Sequence, residues 1–235
     1  FKQKTAYEIS TRDWSSDVCS SDLRPFEKAP LPPLAHSAFR ISNFPMTSYP
    51  TKIDGAYLLR PRVFGDARGF FLESWNKETF AKLGIGEDFV QDNHSRSSKY
   101  VLRGLHYQSG SAAQGKLVWV TSGTVFDVLV DLRQGSPTFG KWDGYMLTSE
   151  AHERLWVPAG CAHGFLVLSE VADFHYKCTN YYRPDTERAL VWNDPTVGIQ
   201  WPLPVGIEPL VSPKDAAAAS FSACEKYRSE EHTSE

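Results

Sequence analysis

From Gly55 onward the chain alternates apolar and polar positions in short runs broken by turn residues. GAYLLRPRVF, GFFLESW, FVQDNHS, VLRGLHYQ, GKLVWVTSG, TVFDVLVDLR, WDGYMLTS, ERLWVPAG, HGFLVLS, ADFHYKCTNYY and ALVWND place β-branched, aromatic and aliphatic side chains between Gly, Pro, Asn and Ser clusters. In TVFDVLVDLR a period of two sets Phe126, Val128, Val130 and Leu132 on one face and points Asp127 and Asp131 the other way. One segment, NKETFAKLG, has helical character, with Asn76 placed to cap its start and Gly84 to end it in a left-handed conformation. Many short strands and a single convincing helix predict an all-β sandwich or jelly roll, with no internal repeat and no second domain.

The pattern fails at both ends. Residues 1–23 are polar without periodicity and lead into the proline-rich RPFEKAPLPPL, while the last eight residues, RSEEHTSE, have the same foreign character. Both ends resemble translated adapter sequence. The expected organisation is a non-native or disordered extension over 1–45, adapter-like to about residue 23, a folded domain over 46–227 opening at Met46, and a non-native tail over 228–235. A genuine disordered N-terminal extension is the alternative. The Pro- and Trp-rich stretch after Trp192 is expected to pack as ordered loop over one mouth of the barrel.

The chain has 235 residues, 41% of them hydrophobic, and a formal charge of −3, so it can bury a core but offers no general attraction to nucleic acid or anionic membrane. Its longest apolar runs are too short and polar for a membrane span, and it shows no signal-peptide layout, so a cytoplasmic setting is expected. The four cysteines (Cys19, Cys161, Cys178, Cys224) have no C-x-x-C spacing and read as buried free thiols.

VLRGLHYQ, residues 101–108, concentrates the candidate chemistry. Strict alternation separates Arg103 from His106, whereas a bulge at Gly104 brings both charges to one cavity; the bulge is the expected arrangement. Alone, His106 reads as a satisfied structural histidine. Its company changes that reading. Arg68, Glu73, Gln91, Asn93, Arg103, Lys116, His163 and Tyr176 also interrupt apolar runs, where unpaired polarity is costly, and together they suggest a lined cavity. His106 backed by a carboxylate is a general base, Tyr176 a proton donor and Lys116 a cation for an enolate oxygen. Such a set suits proton abstraction beside a carbonyl and reprotonation from the opposite side, which is epimerisation and needs no cofactor. PAGCAH, residues 158–163, fits the P-x-G-x-x-H part of the second cupin motif, but RGLHYQSGS offers one histidine where the first motif needs a pair, so no metal is expected.

RVFGDARGFFLES, FVQDNHS, LRGLHYQ, QGKLVWV, VFDVLVDLR, SPTFGKW, WVPAGCAHGFLVLS, YKCTNYY and WNDP, in this order over about residues 52–216, resemble the dTDP-4-dehydrorhamnose 3,5-epimerase family. The resemblance implies a cupin-type jelly roll, a homodimer, and inversion at C3 and C5 of dTDP-4-dehydro-6-deoxy-D-glucose. It implies His106 as base, Asp215 as its partner, Tyr176 as acid and Lys116 as a further catalytic residue. Substrate contacts fall on Arg68, Phe71, Glu73, Gln91, Asn93, Arg103, His163, Glu187 and Lys214, with Tyr182 where the family stacks a tyrosine on thymine. The spacing from Trp192 to Lys214 is slightly longer than usual in the family, which keeps Asp194 open as an alternative partner for His106. Read by itself, LVSPKD suggests only a surface Lys–Asp pair. A single-position epimerase, a ketoisomerase and a non-catalytic sugar-binding cupin are the competing functions.

Overall fold

The computed structural model describes residues 45–228. The expected extension before Met46 and tail after residue 227 thus lie almost wholly outside the described residues. Thirteen strands are described: β1 (Met46–Pro50), β2 (Tyr57–Pro61), β3 (Val63–Asp66), β4 (Gly69–Leu72), β5 (Gln91–Ser98), β6 (Leu102–Gln108), β7 (Lys116–Ser122), β8 (Thr124–Asp131), β9 (Trp142–Thr148), β10 (Arg154–Val157), β11 (Cys161–Val167), β12 (Val171–Cys178) and β13 (Glu187–Ala189). Two antiparallel sheets face each other, one in the order β1-β2-β10-β7-β12-β5 and the other β13-β6-β11-β8-β9, while β3 and β4 form a separate hairpin. This is the expected jelly roll.

Apolar side chains from both inner faces fill one end of the sandwich, with Val118 and Phe174 meeting Val125, Leu129 and Phe165. The outer faces are covered as well. The short helix α1 (Lys77–Lys82) seats Phe80 against Leu59, Leu117 and Trp156. Asn76 caps it by accepting from the Glu78 and Thr79 N–H groups, and Gly84 follows it at φ +85°, as the sequence suggested.

The segment after Leu190 departs from expectation. Instead of lying over a barrel mouth, Val197, Ile199, Trp201 and Phe221 pack on the outer face of the five-stranded sheet against Leu105, Val128, Val130 and Leu132. That apolar face of β8, legible in the sequence, was therefore waiting for this cover. Asp127 and Asp131 point the other way, as the alternation suggested, and that opposite face is buried too: both carboxylates are fully buried. Asp131 is held by Arg133, Ser136 and Thr138, and Asp127 points between the sheets.

Strand β6 carries the expected bulge. Its register against β11 steps from His163↔His106 to Phe165↔Arg103, three residues on β6 against two on β11. Gly104 stands at the step with φ +120°, and a Cβ there would lie 2.6 Å from Gly164 Cα and 2.8 Å from the His163 carbonyl oxygen. Both the conformation and the space demand glycine. Gly104→Ala is expected to destabilise the domain by about 2–4 kcal/mol, read as a lower urea midpoint; a change below about 0.5 kcal/mol would show that the two strands can separate without penalty.

Candidate active site

Because β13 is short, it pairs only with Gln108, Tyr107 and His106, leaving the Leu102–Gly104 end of β6 without a strand on the side away from β11. The C-terminal segment fills that edge. Leu102 N–H donates to the Leu210 carbonyl at 3.0 Å, and Gly104 N–H donates to Asp215 Oδ2 at 3.3 Å. Asp215 belongs to a single-turn helix, α2 (Pro213–Ala216), capped by Ser212, whose Oγ accepts from the Asp215 N–H. Its other oxygen, Oδ1, sits 2.7 Å from His106 Nε2. The Asp215 side chain is 5% exposed and the His106 ring 33% exposed, so the pair is anchored inside and open on one side.

Lys214 and Asp215 therefore do not form a surface pair with each other. Lys214 reaches Glu187, and Asp215 reaches His106. Asp194, the alternative partner, is instead an anchor for backbone: it accepts from the N–H groups of Thr196, Val197 and Phe221. Burial pushes the Asp215 carboxyl up, but the hydrogen bonds from His106 and the Gly104 N–H prevail and leave it below the ordinary carboxylate value.

His106 opens on a cavity of about 300 Å³ between the two sheets, lined also by Lys116, Tyr176, Gln91, Asn93, Tyr182 and Glu187. His106 comes from β6 of the five-stranded sheet, while Lys116 and Tyr176 come from β7 and β12 of the six-stranded one. The Lys116 ammonium donates to the His106 carbonyl oxygen at 3.2 Å. Desolvation lowers its pKa, while Cys178, Asp127 and Glu187 act against that lowering. Desolvation likewise raises the Tyr176 phenol, with Arg103 opposing. Tyr176 thus stays protonated at neutral pH.

Polar side chains rim the cavity. Gln91 donates to Asn93 and accepts the Tyr182 N–H, while the Tyr182 hydroxyl donates to Glu187 at 2.7 Å. The Tyr182 ring is 48% exposed at the entrance, available as a flat platform. Arg103 is exposed and donates to Ser97, close enough to Tyr176 to influence its charge. His163, 6% exposed, lies opposite His106 on β11, and its Nε2 contacts both oxygens of Asp127 at 2.9 and 3.0 Å.

Arg103, His163 and Lys214 stand beside lining residues without lining the cavity themselves, and three further expected contact residues lie away from it. Arg68 and Phe71 lie on the exposed β3–β4 hairpin, Arg68 paired with Asp66, and Phe71 69% exposed. Glu73 accepts from Asn76 and Thr79 at the start of α1. Conversely, Gln108, Gln114 and Cys178 line the cavity and were not singled out in the sequence. Gln108 ends the most informative run and could have been found there; Gln114 sits in turn material and gives no such signal. Among the described residues no group of three or more His, Cys, Asp and Glu could hold a metal ion. His106 and His163 each have one ring nitrogen on a carboxylate.

A jelly roll with a histidine–aspartate pair, a lysine and a phenol gathered between its sheets is a cupin-type epimerase. The chain belongs to the family whose model, dTDP-4-dehydrorhamnose 3,5-epimerase, matches residues 50–223. A protein of that description from Salmonella typhimurium is 56% identical over 169 residues, covering 72% of this chain and 91% of the relative. One from Neisseria gonorrhoeae is 53% identical over 176 residues, covering 75% of this chain, which spans only 53% of that relative's length. The crystal structure of the Legionella pneumophila dTDP-6-deoxy-D-glucose-3,5-epimerase, complexed with dTDP-4-keto-L-rhamnose, is 50% identical with a TM-score of 0.75, covering 79% of this chain and 99% of that one.

Since the Asp215 pKa is lowered in the folded chain, its ionised form contributes stability above the unfolded value of about 3.9. That contribution is lost as pH falls through the folded value. The stability difference between the native chain and Asp215→Asn should therefore be largest above about pH 4 and shrink in more acidic urea titrations. A difference independent of pH would mean that the carboxylate charge plays no part.

Proposed function

We propose that this chain inverts C3 and C5 of dTDP-4-dehydro-6-deoxy-D-glucose, giving dTDP-4-dehydro-L-rhamnose, with residues 46–227 as the working unit. The observation carrying the reading is a base and an acid on opposite walls of one cavity: His106 on the five-stranded sheet and Tyr176 on the six-stranded sheet. The 4-keto group acidifies the hydrogens on both flanking carbons. His106, oriented by Asp215 through Nε2, takes the proton from carbon, and the electron pair moves into an enolate with its charge on the former keto oxygen. Lys116 stabilises that oxygen. Tyr176 then delivers a proton to the opposite face of the carbon, which completes inversion, and solvent restores both groups. No electrons enter or leave the sugar overall.

Gln91, Asn93, Arg103, His163, Glu187 and Lys214 hold the polar parts of the substrate, and Tyr182 offers its half-exposed ring to the thymine. Arg68 and Phe71 lie off their own chain's cavity, which fits a homodimer in which the hairpin serves a second copy. Two observations support such a dimer. Phe64, Phe70 and Phe71 expose large apolar surface on the hairpin. Beside it, a cleft of about 650 Å³ contains Arg154, 4% exposed and with no hydrogen-bond partner for its Nε. Sedimentation equilibrium should give a dimer mass, and Phe70→Ser combined with Phe71→Ser should shift it toward monomer; a monomeric native chain would remove the homodimer from the reading. Among the described residues no helix is long and apolar enough to cross a membrane. A cytoplasmic setting completes the proposal, consistent with three buried cysteines in the free state.

Tyr176→Phe keeps the ring in its strand while removing the acid, and His106 can still abstract. In deuterated water with dTDP-4-dehydro-6-deoxy-D-glucose, the variant is expected to exchange deuterium into the sugar while inverted product falls by about a hundredfold or more. Proton NMR reads both on one sample. His106→Asn should abolish exchange and inversion together. Equal losses of the two processes in Tyr176→Phe would remove the phenol as acid, and label at a single carbon in the native reaction would favour a single-position epimerase.

A further inference from the structure

Gln108 lines the cavity but holds no role in the chemistry proposed above. It is 5% exposed and sits on β6 two residues beyond His106, on the same face of the strand and about 6.5 Å along it. The two ends of its amide differ. Oε1 accepts from the Arg183 N–H at 3.1 Å and from the Thr186 hydroxyl at 2.8 Å. Because a backbone N–H can only donate, Oε1 is the atom turned to that segment, and the amide hydrogens are left at the other end of the group. Among the described residues both hydrogen bonds of the side chain end on Oε1, and Nε2 donates to nothing. Leaving a buried donor without an acceptor is costly, so a fold retains one where a ligand supplies the acceptor.

We propose that Gln108 is a substrate-binding residue that donates through Nε2 to a diphosphate oxygen of the bound nucleotide sugar, while its Oε1 holds the turn between Tyr182 and Glu187. The inference rests on the substrate proposed for this site. In that reaction the sugar sits at His106 and the thymine on Tyr182, and Gln108 stands between the two. It follows His106 on β6 and is tied to the backbone of Arg183, the residue after Tyr182. The part of the ligand that crosses this span is the deoxyribose and the diphosphate, and the ionised diphosphate oxygens are the stronger acceptors.

The neighbouring groups leave this task to Gln108. Gln114, another glutamine of the cavity wall, spends its Nε2 on the Asn180 carbonyl oxygen at 2.6 Å and so presents an acceptor, which suits no phosphate oxygen. Glu187 lies opposite Gln108 in the β6–β13 ladder, but its carboxylate accepts from the Tyr182 hydroxyl and from Lys214. The turn itself is a short 3-10 segment, Pro184–Thr186, and it is stitched to the end of β6 by the Ser109 N–H, which donates to the Thr186 carbonyl at 3.0 Å, as well as by Gln108. One side chain thereby sets the spacing between its own donor and the Tyr182 ring.

Gln108→Glu separates the two ends of the side chain. It has nearly the same shape and keeps oxygens to accept from Arg183 and Thr186, but it replaces the donor with an anionic oxygen. Calorimetric titration with dTDP is expected to show binding weakened about tenfold or more, the loss of one hydrogen bond to a charged group, while thymidine, which has no diphosphate, binds both chains alike. With dTDP-4-dehydro-6-deoxy-D-glucose, kcat/KM should fall by a similar factor with most of the loss in KM, because a contact remote from the reacting carbons is made equally before and in the transition state. A residue that only anchored the turn would tolerate glutamate, so unchanged dTDP affinity in Gln108→Glu overturns the inference. Equal losses for dTDP and thymidine would assign the effect to the Tyr182 end and overturn it as well. If the variant does not fold, the Gln108 side-chain amide signal of the native chain decides by 1H–15N NMR: it is expected to shift with dTDP and to hold its position with thymidine, and a signal that dTDP leaves unmoved overturns the inference. A native chain that binds dTDP without epimerising the sugar would sink the proposed reaction instead, leaving the dTDP titration to judge Gln108.

Discussion

The close approach of β6 to β11 at Gly104 and Gly164 is the constraint on which the site depends. A Cβ on Gly164 would meet the Arg103 carbonyl oxygen at 2.5 Å, so neither strand could sit where it does with a side chain at either position. The contact adds a residue to β6, and that extra residue sets the direction of everything beyond it. It puts His106 level with His163 and turns the Gly104 N–H outward from the ladder, where Asp215 accepts it. A single backbone irregularity thus positions His106 and supplies one of the hydrogen bonds that hold Asp215.

The electrostatics follow from that arrangement. A cavity between two β-sheets has little water to screen charge, so each ionised group needs a near counterpart. The structure gives each carboxylate a hydrogen-bonded partner: Asp215 has His106, Asp127 has His163, and Glu187 has Lys214. Because each carboxylate is tied to a particular partner, the histidine rings are fixed in orientation before any ligand arrives. The organisation energy is contained in the fold, and little of it has to come from binding.

Much of this was legible in the sequence, for reasons that differ by residue. The strands were legible because alternation is a local property, and α1 because Asn76 and Gly84 mark its ends with their own chemistry. The bulge could be anticipated because a glycine interrupts a run that otherwise has every reason to continue. The burial of Asp127 was not legible because alternation tells which residues share a face but not which face is inside, and β8 is buried on both. The site of the C-terminal segment was illegible for a related reason: its Pro and Trp residues announce an ordered loop but carry no register. Likewise Lys214 and Asp215 look like a pair because they are adjacent, whereas the one-turn helix sends their side chains to different partners.

The two-sheet architecture also bears on stereochemistry. Inversion at carbon requires that the proton leave from one face and return to the other, so an enzyme with one acid–base group returns what it took. In a sandwich the opposed faces come with the fold, since residues directed inward from one sheet look across at those from the other. His106 and Tyr176 occupy such opposed positions, and Lys116 enters from the Tyr176 side to donate to the backbone of the His106 strand. A ligand between the sheets therefore meets a neutral phenol on one wall and an imidazole on the other. Desolvation, which raises the phenol, and the Asp215 contact, which orients the imidazole, then act on different walls without competing.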